Sequence, residues 1–174
     1  MAQQYNIIAP SFASPATATI TWGDAAGSGE DKTITLSALA NNAGRMGAGG
    51  DIGLTSGYLP EWLDYEFYFA ATSSPTAANM VRLFLAFSFD NSAWPGAVTG
   101  SDGAYSDADL FPHLDELKPL LVDNSTATQR ITGSLWMPRA RYVVPVVFNS
   151  TGVAFATGND VAKFILRCRS GYAP

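Results

Sequence analysis

One cysteine and one histidine are all that 174 residues provide for thiol or imidazole chemistry. Cys168 cannot form an internal disulfide or a cysteine cage for a metal. In the strand-like run VAKFILRCR it shares the parity of Ala162, Phe164 and Leu166, which predicts a buried, unreactive thiol. His113 lies between Pro112 and Leu114, beside Asp115 and Glu116. No Gly-x-Ser-x-Gly elbow accompanies it, so the expectation is a solvated histidine rather than a triad member. Charge is scarce as well: 10 Lys and Arg against 15 Asp and Glu, 14% of the chain and a net −5. So few cations argue against a phosphate-tracking nucleic-acid protein and against an anionic membrane surface. No run approaches the roughly 18 apolar residues of a membrane helix. The start, MAQQYNIIAP, lacks a basic, then apolar leader, and the chain is expected to fold in a cytoplasm. The Asn124 and Asn149 sequons therefore read as turn residues.

What the chain has in quantity is apolar and aromatic side chains, 47% and 12% of its residues. In EWLDYEFYF, Leu63, Tyr65, Phe67 and Phe69 alternate with Trp62, Asp64, Glu66 and Tyr68, the pattern of a strand with one buried face. In MVRLFLAFSF nearly every position is apolar, with Val81, Leu83, Leu85, Phe87 and Phe89 on one parity. Such a strand is covered on both faces, within a sandwich or at a subunit contact. TATITW and KTITLSAL read as an antiparallel pair, and TQRITGSLWM, RYVVPVVFN and VAKFILRCR as three late strands. Pro145 inside the second of these predicts an edge or a bulge. Residues 40–58 carry six glycines and read as a long surface loop with Arg45 and Met46 as its contacts. Residues 90–111 read as a second loop carrying Trp94 and Tyr105. FPHLDELKPLLV, with Leu114, Leu117 and Leu121, reads as one short helix ended near Pro119. The sum is a single all-β domain over 1–174. It is a β-sandwich with a jelly roll as the favoured arrangement, one short helix, long loops, and residues 1–16 as an N-terminal arm.

Chemistry-bearing constellations are few. The glycines at 44, 47, 49 and 50 do not make a phosphate loop, since no Gly-Lys-Ser/Thr follows. Asp64 and Glu66 share a strand face between Trp62 and Tyr68, as paired acids of a glycosidase would, but they lie about 7 Å apart by strand rise. Asp90, Asp102, Asp107 and Asp109 could offer oxygens to Ca²⁺, though not in EF-hand spacing; aspartates capping turns are the plainer reading. No catalytic residue, cofactor or metal is assigned. Trp62 with Tyr68, or Trp94 with Tyr105, would serve a carbohydrate-binding module as sugar platforms. Arg130, Arg139, Arg141, Lys163, Arg167 and Arg169 gather the positive charge late in the chain, suiting contact with acidic surfaces or neighbouring copies.

The order of several short segments resembles a known group. Phe87-Ser88-Phe89-Asp90 is followed by the run from Trp94-Pro95-Gly96 to Asp102-Gly103-Ala104-Tyr105. Leu117-Lys118-Pro119-Leu120, Pro138-Arg139-Ala140-Arg141-Tyr142 and Val146-Val147-Phe148-Asn149 to Ala154 come after. Over about residues 60 to 170 this resembles the head-decoration, or cement, proteins of tailed bacteriophages. The resemblance implies a jelly-roll-like homotrimer on the outer capsid surface, with the major capsid protein as partner. It also implies capsid contacts from the N-terminal arm and the 40–58 loop, with the central aromatics facing the trimer axis. Because aromatics and arginine dominate interface energetics, Arg45, Met46, Trp94, Tyr105, Trp136, Arg139 and Arg141 are the candidate interface residues.

Overall fold

The computed structural model describes residues 18–24, 27, 29–53, 59–106, 108–136 and 138–169. The proposed arm at 1–16 lies outside them. Twelve strands form: β1 (Ala18–Gly23), β2 (Lys32–Thr33), β3 (Ala43–Met46), β4 (Gly50–Asp51), β5 (Trp62–Phe69), β6 (Met80–Ser88), β7 (Gly103–Tyr105), β8 (Asp115–Glu116), β9 (Leu120–Leu121), β10 (Gln129–Trp136), β11 (Tyr142–Ser150) and β12 (Ala162–Arg169). One sheet runs β10-β5-β12-β1-β2. The other runs β7-β3-β11-β6-β8, with β4 beside β11 and β9 beside β6. With β2 and β7 set aside as marginal additions, and with β3–β4 and β8–β9 each taken as one interrupted strand, eight principal strands remain in the order of a jelly roll. The first, third, sixth and eighth principal strands make one sheet, the second, fourth, fifth and seventh the other. Among the described residues no helix is long and apolar enough to cross a membrane.

The main core fills the space between the sheets. Leu63, Tyr65, Phe67 and Phe69 of β5 are buried there as their alternation predicts, with Val81, Leu83 and Leu85 of β6 and Trp22 and Phe164. The other face of β6 is covered too, by a second core of Met46, Phe84, Ala86, Val98, Tyr105, Phe111, Leu114, Val144 and Val146. Its roof is the excursion after β6, which folds back over the second sheet. The continuous apolar run of β6 is therefore satisfied within one chain. Phe89, expected on the inward row of that run, instead stands just past the strand end and is 82% exposed.

Several sequence expectations are corrected. KTITLSAL does not pair antiparallel with β1; only Lys32 and Thr33 are in register with it, and they run parallel. Beyond them Ile34 and Leu36 leave the sheet to bury completely in the core, which outweighs their extending a ladder. The 40–58 segment is not one long loop, since β3 and β4 lie in it. Its glycines serve close packing: a Cβ on Gly47 would come within 2.9 Å, and one on Gly50 within 2.5 Å, of the buried Trp22 indole. Pro145 is not at an edge, because β11 lies between β3 and β6. The missing N–H falls where residues 47–49 interrupt the neighbouring strand, and the Pro145 carbonyl on that side accepts from Gly47 N–H at 2.9 Å. The short helix is a 3-10 helix over Ala108–His113. After it the chain turns to β8 and β9, burying Leu117 and Leu120 and leaving Leu121 exposed.

Candidate interaction surface

Because the second sheet is roofed, the open sheet face among the described residues is the outer side of β10-β5-β12-β1. Strand register sets its side chains in cross-strand rows: Trp136-Trp62-Arg169, Ser134-Asp64-Arg167, Thr132-Glu66-Ile165 and Arg130-Tyr68-Lys163. Charges alternate across the rows and pair. Glu66, 7% exposed, accepts from Arg130 at 2.8 Å and from Arg167 at 3.2 Å. Asp64 accepts from Arg169 at 2.6 Å and from Ser134 Oγ at 2.6 Å. Lys163 is held at 2.8 Å by both Glu30 and Asp160; burial opposes its charge, but these two carboxylates outweigh that and raise its pKa. Asp64 and Glu66 do share this face, as their spacing predicts. Each is already engaged by arginine donors, which leaves neither carboxylate standing apart as a lone acid.

One end of the sandwich carries the apolar surface. Of the five large apolar side chains exposed among the described residues, Leu59, Trp62, Phe89 and Trp136 lie where β5, β11 and β1 begin and β6, β10 and β12 end. Leu121 is at the opposite end, across from Met80. Trp62 and Trp136 face each other directly across β5 and β10 and stack, with ring centres 5.6 Å apart and planes at 19°. Ala18, where β1 begins, lies at this same end, in register with Cys168 and, one strand further, Leu63.

The candidate interface residues separate into two groups. Trp136 is 62% exposed. Arg139 is open and pairs with Asp115 at 3.1 Å. Arg141 forms a two-pronged contact with Asp51 at 2.8–3.1 Å and lies over Tyr142. These three sit at the apolar end. The other four turn inward. Arg45 grips Asp102 with two bonds of 2.8 Å. Burial raises the Asp102 pKa, yet bonds from Arg45 and Thr35 overcome that and hold it low. Met46 and Tyr105 belong to the second core, and the Tyr105 hydroxyl donates to Gly96 O at 2.6 Å. Trp94 lies against the backbone at Gly100, where a Cβ would come within 2.6 Å of its Nε1. Phe89 and Leu59 were not singled out from sequence. The Asp90-Asn91 turn right after Phe89 was the available sign that its strand had ended.

The remaining chemical candidates do not converge. Asp90 caps its own turn, accepting from Ser92 and Ala93 N–H at 2.9 Å, and those bonds hold its pKa well below the usual carboxylate value. Asp102 is committed to Arg45, and Asp107 lies outside the described residues. Among the described residues no three His, Cys, Asp or Glu side chains group as a metal site. His113 is exposed at the end of the 3-10 helix. Cys168 is fully buried, and burial pushes its thiol up to about 11. Asn149 is fully buried too, so its sequon is closed in the fold, whereas Asn124 is exposed. Compared with known proteins, this chain matches no family model, no curated protein and no solved structure.

Proposed function

We propose that the protein is a non-enzymatic structural protein of a virion, a capsid decoration or cement protein that binds the outer capsid surface and stabilises the head through subunit contacts. The observation that carries this reading is the concentration of exposed apolar side chains at one end, beside arginines suited to interfaces. The motif order that resembles phage decoration proteins supports it and adds a homo-oligomer, a trimer, with the major capsid protein as partner. The reading is tested by mixing purified protein with undecorated capsids of the parent virus, sedimenting them, and heating the product. Binding and a raised capsid disruption temperature are expected, and both should fall in Phe89→Ser and Trp136→Ala. No association with capsids would overturn the reading.

A second reading, a carbohydrate-binding module, is favoured by one feature. The open Trp136 indole is flanked on the same face by Ser134, Asp64 and Arg169, an apolar platform beside hydrogen-bonding groups. Glycan-array binding lost in Trp136→Ala, without capsid association, would favour it. A glycosidase using Asp64 and Glu66 would require Glu66 to release two arginines first.

A further inference from the structure

Five of the six strands at the sheet margins are stubs: β2, β4, β8 and β9 have two residues and β7 has three. The exception is β10, eight residues long, with an unbroken ladder to β5 on one side and, among the described residues, no strand on the other. Long exposed edges are normally blunted by lysine, proline, a bulge or shortness, because their unpaired N–H and C=O groups template another strand. Gln129–Trp136 has none of these, and its one charged side chain, Arg130, is held by Glu66 of its own chain at 2.8 Å. Its inward row is also incompletely covered. Ile131, Gly133 and Leu135 stay half-exposed, whereas their β5 partners Phe67, Tyr65 and Leu63 are buried.

We propose that β10 pairs antiparallel with β10 of a second copy, about a two-fold axis at Gly133, joining two sheets into one. The sequence is complementary to itself in this register. Side chains keep their faces only when the two paired positions share a parity. Centring on 133 then pairs every residue from Arg130 to Trp136. On the inner row Ile131 meets Leu135 of the other copy, and Gly133 meets its equivalent. On the outer row Thr132 meets Ser134, hydroxyl to hydroxyl. At each end Arg130 meets Trp136. The guanidinium is already steadied by Glu66 at 2.8 Å and by the Tyr68 ring at 5.3 Å, and the far face of the Trp136 indole is open to receive it. Shifting the register by two leaves Arg130 or Trp136 overhanging. The absence of a side chain at Gly133 suits the axis for another reason: a Cβ there would collide with the Tyr65 hydroxyl, so this position is bare in the single chain as well.

The pairing does not rest on the decoration reading. A two-fold contact gives even numbers of chains, a dimer alone or a hexamer if a separate three-fold contact exists. Light scattering behind a sizing column, at high protein concentration, should therefore report an even multiple of 18.4 kDa. The double variant Thr132→Lys with Ser134→Lys should halve that number. Its lysines sit opposite Glu66 and Asp64 in their own chain, so the fold is spared, but they face one another across the axis. Register is read by cross-linking. Directly opposed residues have Cβ atoms about 4.5–5.5 Å apart, so a mixture of Thr132→Cys and Ser134→Cys copies should oxidise to a covalent dimer that neither gives alone. The buried Cys168 does not compete. A monomer or a trimer overturns the proposal while leaving capsid binding untouched. So does a monomer that dimerises only after removal of residues 1–16, which would mean that the chain's own N-terminal segment occupies the edge. Cross-linking in either single variant alone overturns the register.

Discussion

Asn149 offers the sharpest test of how this fold is held together. It is fully buried at the end of β11. Its Nδ2 donates to the carbonyls of Leu39 at 2.9 Å, Ala40 at 3.1 Å and Val153 at 2.9 Å. Its Oδ1 accepts from Thr151 N–H at 3.0 Å and Thr151 Oγ1 at 2.8 Å. One side chain thus ties the strand to a segment more than 100 residues earlier in sequence and to the turn that follows. Asn149→Asp keeps the shape and replaces two hydrogens with a carboxylate oxygen facing three carbonyl oxygens. Two of those carbonyls keep a second donor, Phe155 N–H on Leu39 O and Ala43 N–H on Ala40 O, while the single Thr151 hydroxyl hydrogen serves either Oδ1 or Val153 O. The cost is then about 2 kcal/mol for the lost bonds, plus several more for an uncompensated charge out of water. A total of about 5 kcal/mol is comparable to the whole stability of an ordinary domain. The introduced carboxyl has its folded pKa raised, so the folded state holds the proton more tightly. Stability is retained below the unfolded value and lost as pH rises through the folded one, so acid should recover part of the deficit. Asn149→Ala should cost about 2–4 kcal/mol at every pH. Denaturant unfolding followed by intrinsic tryptophan fluorescence measures both, at neutral and at mildly acidic pH. An aspartate variant within about 1 kcal/mol of wild type, or a deficit that ignores pH, would refute this account.

Three further outcomes follow from single contacts. Asp24 is 5% exposed, its Oδ1 accepts from Ser37 N–H at 3.2 Å, and its Oδ2 has no partner. Burial raises its pKa, so the charged form weakens the fold as pH rises. Asp24→Asn should melt higher than wild type at neutral pH, with the gap closing below about pH 4; equal melting curves at all pH values would contradict this. Gly133→Ala should cost about 2–3 kcal/mol in chemical unfolding, because Tyr65 is buried, spans the Cβ position and holds Lys118 N–H at 3.1 Å. A neutral effect would show that Tyr65 can move. Glu66→Gln leaves Arg130 and Arg167 unpaired but half-open to water, so the loss should be about 1 kcal/mol and should shrink with added salt. A large, salt-insensitive loss would mean that the triad behaves as a fully buried charge cluster.

Local chain chemistry alone determined a good deal of this protein. The alternation of Leu63, Tyr65, Phe67 and Phe69 marks β5 and its buried face, because successive side chains on a strand must point to opposite sides. The unbroken apolar run of β6 announces two covered faces, and the late strands lie close to where their patterns put them. The poverty in histidine, cysteine and charge is a property of composition, and no fold could alter it. What covers the second face of β6 was decided only in three dimensions, when the chain after it folded back to bring Phe111 onto Phe84. The glycines of 40–58 look like loop freedom until Trp22, more than twenty residues away, packs against them. Pro145 looks like an edge residue until the interruption at 47–49 meets it. Trp62 and Trp136 become a stack, and Glu66 meets Arg130 and Arg167, through pairings 64 to 101 residues apart in sequence. Periodicity encodes which face of a strand is wet. Partners, register and strand order arise from the joint burial of distant segments, which no single stretch of the chain contains.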